Sequence, residues 1–179
     1  MKNSIIIISL ITILLGCSNS SDPDYNSYYE SLVNLSTKES IDKANKWKFT
    51  APKIITYVTT SEAIFEFPDG KVLKKALPAD SFYVAIAPYK NGTHTCDTHY
   101  PSSCEGEIKE QTIKVVAYEV SGNILINNSI NTMRNGFFEL WLPRNKNVTI
   151  HIEYNSIQGE ETISTNDDSR TCITTIKLK

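Results

Sequence analysis

Apolar and polar positions along the chain change period twice. From Tyr25 to Lys46, Tyr25, Tyr28, Leu32 and Leu35 recur at helical spacing, and a capping box from Ser36 to Glu39 opens a second helix that ends near Trp47. From Lys53 the period shortens to that of strands: "KIITYV", then "AIFEF" and "KVLKKAL" joined by the turn Pro68-Asp69-Gly70, then "FYVAIAPY" from Phe82 to Tyr89. Residues 91–106 lose all periodicity and carry Gly, Pro, Ser and Thr, which reads as a loop or linker. Strands then recur at short intervals: Thr112 to Val120, Asn123 to Asn127, Gly136 to Leu142, Asn147 to Tyr154, Glu161 to Thr165 and Thr171 to Leu178. Turns at Ser121-Gly122, Asn135-Gly136, Pro143 to Lys146 and Gln158-Gly159 separate them.

This rhythm predicts a mainly β, α+β chain. A small helix-plus-sheet unit over 24–89 is followed by a β-sandwich-like domain over 90–179. In "GFFELWLPR", alternation puts Phe137, Glu139 and Trp141 on one face and Phe138, Leu140 and Leu142 on the other, leaving Glu139 among aromatics. In the 147–154 strand, Val148, Ile150, Ile152 and Tyr154 form the buried face, so His151 is read as a solvated residue.

The N-terminus carries a different signal. Lys2 precedes an apolar run from Ile5 to Leu15, followed by Gly16 and Cys17. A run of eleven residues, nine of them apolar, is too short to span a bilayer. Residues 1–16 therefore read as a secretory signal ending in a lipobox, with Cys17 lipidated and 17–23 as a tether between lipid and fold. The protein is expected to be periplasmic or cell-surface, anchored to a bacterial membrane.

Composition, 40% hydrophobic and 21% charged, is that of an ordinary folded protein. Loss of Lys2 with the leader takes the net charge from −2 to −3, with no basic run, which argues against nucleic acid as a partner.

With Cys17 lipidated, Cys96, Cys104 and Cys172 remain, an odd number for an oxidising compartment. His94, Cys96, His99 and Cys104 lie in one loop, and Cys172 can join them from the last strand. Thiolates are the ligands Cu(I) prefers, and imidazole is acceptable to it. Zinc remains a second candidate, although the seven residues between Cys96 and Cys104 do not match the short Cys knuckles of structural zinc sites.

A metal site and a disulfide stay open side by side. A bridge from Cys104 to Cys172 would close a loop of about 70 residues, worth about 4 kcal/mol in loop-closure entropy, and leave Cys96 free. The readings combine if reduced thiols hold copper and oxidised ones release it. Catalysis is weakly signalled: Cys96 beside His94 or His99 lacks an orienting partner, and no Cys-x-x-Cys pair is present. The chain is thus read as a non-enzyme, with a thiol oxidoreductase acting on Cu(II) and a disulfide-stapled structural surface lipoprotein as alternatives.

The run His94-x-Cys96-x-x-His99-x4-Cys104-x-Gly106-Glu107, preceded by "YVAIAPY", followed by "NGFFELWLPR" and closed by "TCITTIKL", resembles the CueP family of bacterial periplasmic copper-binding proteins. The resemblance covers about residues 80–179. It implies copper binding outside the cytoplasm, a contribution to copper resistance, and delivery of copper to a periplasmic enzyme such as the copper, zinc superoxide dismutase. It places the family's cysteines at Cys96, Cys104 and Cys172 and its histidines at His94 and His99. It also implies a two-part architecture in which the N-terminal part is implicated in self-association as a homodimer. A thiol reductant protein is a further expected partner. The lipobox is a departure, because it would tether this copy to a membrane.

Overall fold

The computed structural model describes residues 23–51 and 53–179. The leader, the lipobox at Cys17 and nearly all of the tether lie outside the described residues. Among those described, no helix is long and apolar enough to cross a membrane.

Two helices come first, α1 (Tyr25–Val33) and α2 (Thr37–Trp47). Asp24 caps α1 by accepting the Asn26 and Ser27 N–H groups. The predicted capping box opens α2: the Ser36 hydroxyl accepts the Glu39 N–H, and the Glu39 carboxylate accepts the Ser36 N–H in return. Three antiparallel strands follow in the order β1 (Ile55–Val58), β2 (Glu62–Glu66) and β3 (Val72–Ala76).

β4 (Ser81–Ile86) does not close this N-terminal unit. It is the centre of a second sheet, parallel to β10 (Cys172–Ile173) and antiparallel to β7 (Phe138–Pro143). A boundary near residue 90 therefore falls directly after a strand whose partners all come from the C-terminal half. The third sheet has the order β6 (Ile124–Asn131), β5 (Thr112–Glu119), β8 (Asn147–Tyr154) and β9 (Ile157–Ser164).

The middle sheet is buried on both faces, and alternation divides its side chains between two cores. Phe82, Val84 and Ile86 of β4, with Phe138, Leu140 and Leu142 of β7, pack against Ile113, Val115, Val148, Ile150 and Ile152 of the four-stranded sheet. The two sheets pack as a sandwich, but not one confined to residues 90–179, because β4 is the central strand of one of its layers. Tyr83, Ala85, Phe137 and Cys172 face the other way and share a core with Leu32, Ile41, Trp47, Val58 and Phe65.

Glu139 falls on this second face as predicted. Tyr83 Oη and Asn45 Nδ2 both donate to its Oε1, at 2.7 and 2.8 Å. Burial raises its carboxyl pKa above the ordinary value, against the pull of those two bonds.

One turn differs from the sequence reading. β8 and β9 are joined by Asn155-Ser156, both at positive φ, the two-residue hairpin geometry. Gly159 sits inside β9, where a Cβ would strike the Lys177 carbonyl.

Candidate metal centre

The 93–106 segment lacks regular structure, yet it is held on both sides. Its Asp97 carbonyl accepts the N–H groups of Thr171 and Cys172, at 2.9 and 3.2 Å. The buried Thr171 hydroxyl accepts the His99 N–H (3.1 Å) and donates to the Val58 carbonyl (2.6 Å), while Val58 N–H donates to the His99 carbonyl (2.9 Å). Ser102 Oγ accepts the Thr56 N–H at 3.1 Å. The segment thus bridges the free edge of β1 to the start of β10, and Cys96 is carried to Cys172.

These two cysteines form a disulfide, with Cα atoms 5.4 Å apart and a sequence separation of 76. The sequence expectation of a Cys104 to Cys172 bridge is corrected: the two hydrogen bonds donated by the Thr171 and Cys172 N–H groups to the Asp97 carbonyl set Cys172 beside Cys96. Cys104 is left as the free, buried thiol. With Cys96 lacking a hydrogen, the Cys104 S–H points to Cys96 Sγ at 3.5 Å, and Tyr100 N–H donates to Cys104 Sγ at 3.4 Å. All three sulfurs lie within 4.8 Å of one another.

Lys48, the C-cap of α2, fixes the Cys104 turn from the other side. Its ammonium donates to the Ser103 and Cys104 carbonyls at 3.1 and 2.8 Å and pairs with Glu105 at 3.0 Å. Burial pushes the Cys104 thiol pKa up, while the Tyr100 N–H and the Lys48 charge pull it down. Two residues on, Gly106 packs backbone to backbone against Gly136, whose φ is +82°, and a Cβ on either would collide with the other. Glu107 then anchors the entry of the loop by accepting the N–H groups of Lys90, Asn91 and Gly92.

The histidines lie outside the sulfur triangle. His94 is exposed, its ring nitrogens facing the carbonyls of Thr95 (3.2 Å) and Glu105 (3.0 Å), so it ties the two arms of the loop together. His99 is fully buried, its ring 4.7 Å from that of Phe137 and 6.2 Å from that of Tyr83. Among the described residues, neither of its nitrogens has a hydrogen-bond partner. Burial lowers its pKa to about 3, so the imidazole is neutral with a free lone pair at physiological pH. His151 is on the far sheet, 3.7 Å from Glu160, and takes no part.

The three cysteine sulfurs, two of them joined in the bridge, are close enough to hold a metal ion between them once the bridge is reduced, and a surface depression of about 430 Å³ walled by His94, Cys96, Thr98, Tyr100 and Cys104 opens beside them. The family of the periplasmic copper-binding protein CueP matches residues 39–177. The chain belongs to the CueP family. The crystal structure of S.CueP superposes with a TM-score of 0.79 at 27% identity, covering 89% of this chain and 99% of that one. No curated protein matches the chain. CueP proteins are periplasmic and bind copper, so copper is the ion and the periplasm the compartment for this chain.

Proposed function

We propose that this CueP-family chain is a lipid-anchored protein that sequesters Cu(I) on the thiolates of Cys96, Cys104 and Cys172. The observation that carries the reading is the triangle of three sulfurs within 4.8 Å. With two of them joined, only Cys104 has thiolate charge to offer. A thiol reductant protein supplies two electrons and two protons to the bridge, becoming a disulfide itself, and leaves three thiols. Cu(I) then displaces their protons. Reoxidation of Cys96 and Cys172 by the disulfide of an oxidant protein, which takes up the two electrons and two protons to become a dithiol, re-forms the bridge, removes two ligands and releases the ion, so holding is redox-gated. His99, neutral and with neither ring nitrogen bonded among the described residues, or the exposed His94 would serve as an auxiliary donor only by moving toward the sulfurs.

Release by exchange of one thiolate at a time suits delivery to a periplasmic copper enzyme such as the copper, zinc superoxide dismutase, and with it a contribution to copper resistance. The lipobox supports a membrane location for that transfer, and the family resemblance supports homodimerisation through the helical N-terminal part. Zinc is the competing occupant of the same sulfurs.

The bridge favours one second reading, a thiol oxidoreductase acting on Cu(II). Cys96 and Cys172 thiolates each give one electron to a Cu(II) ion, the S–S bond forms, and two Cu(I) ions result. Elemental analysis of protein purified from copper-stressed cells, with a count of free thiols, tests the main reading. Copper with three thiols supports it, and no metal at any thiol count refutes it. Thiol loss on mixing reduced protein with Cu(II) decides the second.

A further inference from the structure

The two ends of the Cys96–Cys172 bridge are unequally open to an outside reagent. Cys172 is fully buried, whereas Cys96 is partly exposed. The depression of about 430 Å³ beside the triangle is walled by Cys96 and Cys104, and Cys172 is not among its walls. Cys104 Sγ lies 3.5 Å from Cys96 Sγ, yet it is badly placed to open the bridge. Thiol–disulfide exchange is a displacement at sulfur, in which the attacking, attacked and leaving atoms lie close to a line. On a line, a 3.5 Å contact and a bond of about 2.05 Å put the outer sulfurs about 5.5 Å apart. All three sulfurs instead lie within 4.8 Å of one another. Cys104 therefore stands to the side of the bond, and the thiolate that opens the bridge comes from outside.

Resting on the redox gate proposed above, we infer that the reductant's thiolate enters this depression and attacks Cys96 Sγ with Cys172 as the leaving group, so that Cys96 carries the mixed disulfide. The incoming sulfur bonds to Cys96 as the Cys96–Cys172 bond breaks, and the electron pair of that bond goes to Cys172, which takes up one proton. The reductant's second thiolate then attacks the reductant's first sulfur, and the electron pair of the mixed disulfide returns to Cys96, which takes up the second proton. The reductant ends as a disulfide, and its two thiol protons end on Cys172 and Cys96. The Thr98 carbonyl lies 3.3 Å from Cys96 Sγ, in place to accept the new S–H. The partner that fits is a dithiol protein whose reactive cysteine projects from its surface, because the sulfur it must reach is only partly exposed.

The test uses glutathione, a monothiol with no second sulfur to complete the exchange. The oxidised protein is mixed anaerobically with excess glutathione, quenched in acid at intervals, alkylated at low pH and mapped by peptide mass spectrometry. Glutathione should be found on Cys96 about tenfold or more above Cys172, with Cys172 alkylated in the same molecules. C104S should form the same adduct at a rate within about twofold of the parent, since Cys104 does not open the bridge. Glutathione chiefly on Cys172 or Cys104, a bridge that excess glutathione leaves closed, or loss of the adduct in C104S would overturn the inference, and the position of the adduct in the parent needs no variant. That position is read without metal. An adduct on Cys96 supports the inference even in a protein that fails to hold Cu(I), and one on Cys172 overturns it even in a protein that holds Cu(I) tightly.

Discussion

The Sγ of the free Cys104 lies 3.5 Å from that of Cys96, which is itself bonded to Cys172. A thiol and the bridge it faces are thus one redox unit, and the bridge decides how many thiolates the site can offer. Peptide mapping of the oxidised protein under acidic alkylation should find one labelled site, Cys104, and a Cys96–Cys172 linked pair. A Cys104–Cys172 pair as the dominant species would show that the sulfurs settle differently.

The bridge also joins distant parts of the chain, 76 residues apart in number. Loop-closure entropy puts its stabilisation at about 4 kcal/mol. C172S should lower the urea midpoint of the oxidised protein by a corresponding amount, and the same substitution should cost far less when parent and variant are both compared in reductant.

Lys48 is nearly buried, with its side chain 10% exposed, and holds Ser103, Cys104 and Glu105. K48M should destabilise the fold by about 1–3 kcal/mol through the unpaired carbonyls. Because the Lys48 charge lowers the Cys104 pKa, the midpoint of Cys104 alkylation against pH should rise in the variant. An unchanged midpoint would remove Lys48 from the electrostatics of the thiol.

How much of this was readable beforehand depends on the range of the interactions involved. The α2 capping box and the two faces of β7 are local patterns, and both were visible in the residues themselves. Local period groups β4 with the N-terminal unit, yet its partners are residues 138–143 and 172–173, and no local period records a pairing across 50 to 90 positions. The cysteines announced a cluster by residue type alone. Their pairing depends on the Asp97 carbonyl, a backbone group that no side-chain motif reveals. His94 and His99 looked equivalent in the loop, yet one is exposed and the other is fully buried against Phe137 and Tyr83.

Glu107 supplies a pH signature. Three backbone N–H groups hold its carboxylate, bringing its pKa from 4.5 to about 2. A depressed carboxylate stabilises the fold above its unfolded pKa and loses that contribution as pH falls through the folded one. In urea titrations the parent should therefore exceed E107Q in stability at pH 6, with the gap closing between about pH 4.5 and pH 2. A gap that stays constant over that range would place the effect of the substitution elsewhere.

The claim that three sulfurs gather on Cu(I) is tested most directly by anaerobic titration of the fully reduced protein with Cu(I) against a competing chelator. About one tight equivalent is expected, soft thiolates being the donors Cu(I) prefers, and C96S or C104S should each abolish it. A variant lacking all three cysteines that holds Cu(I) as tightly as the parent would contradict the account.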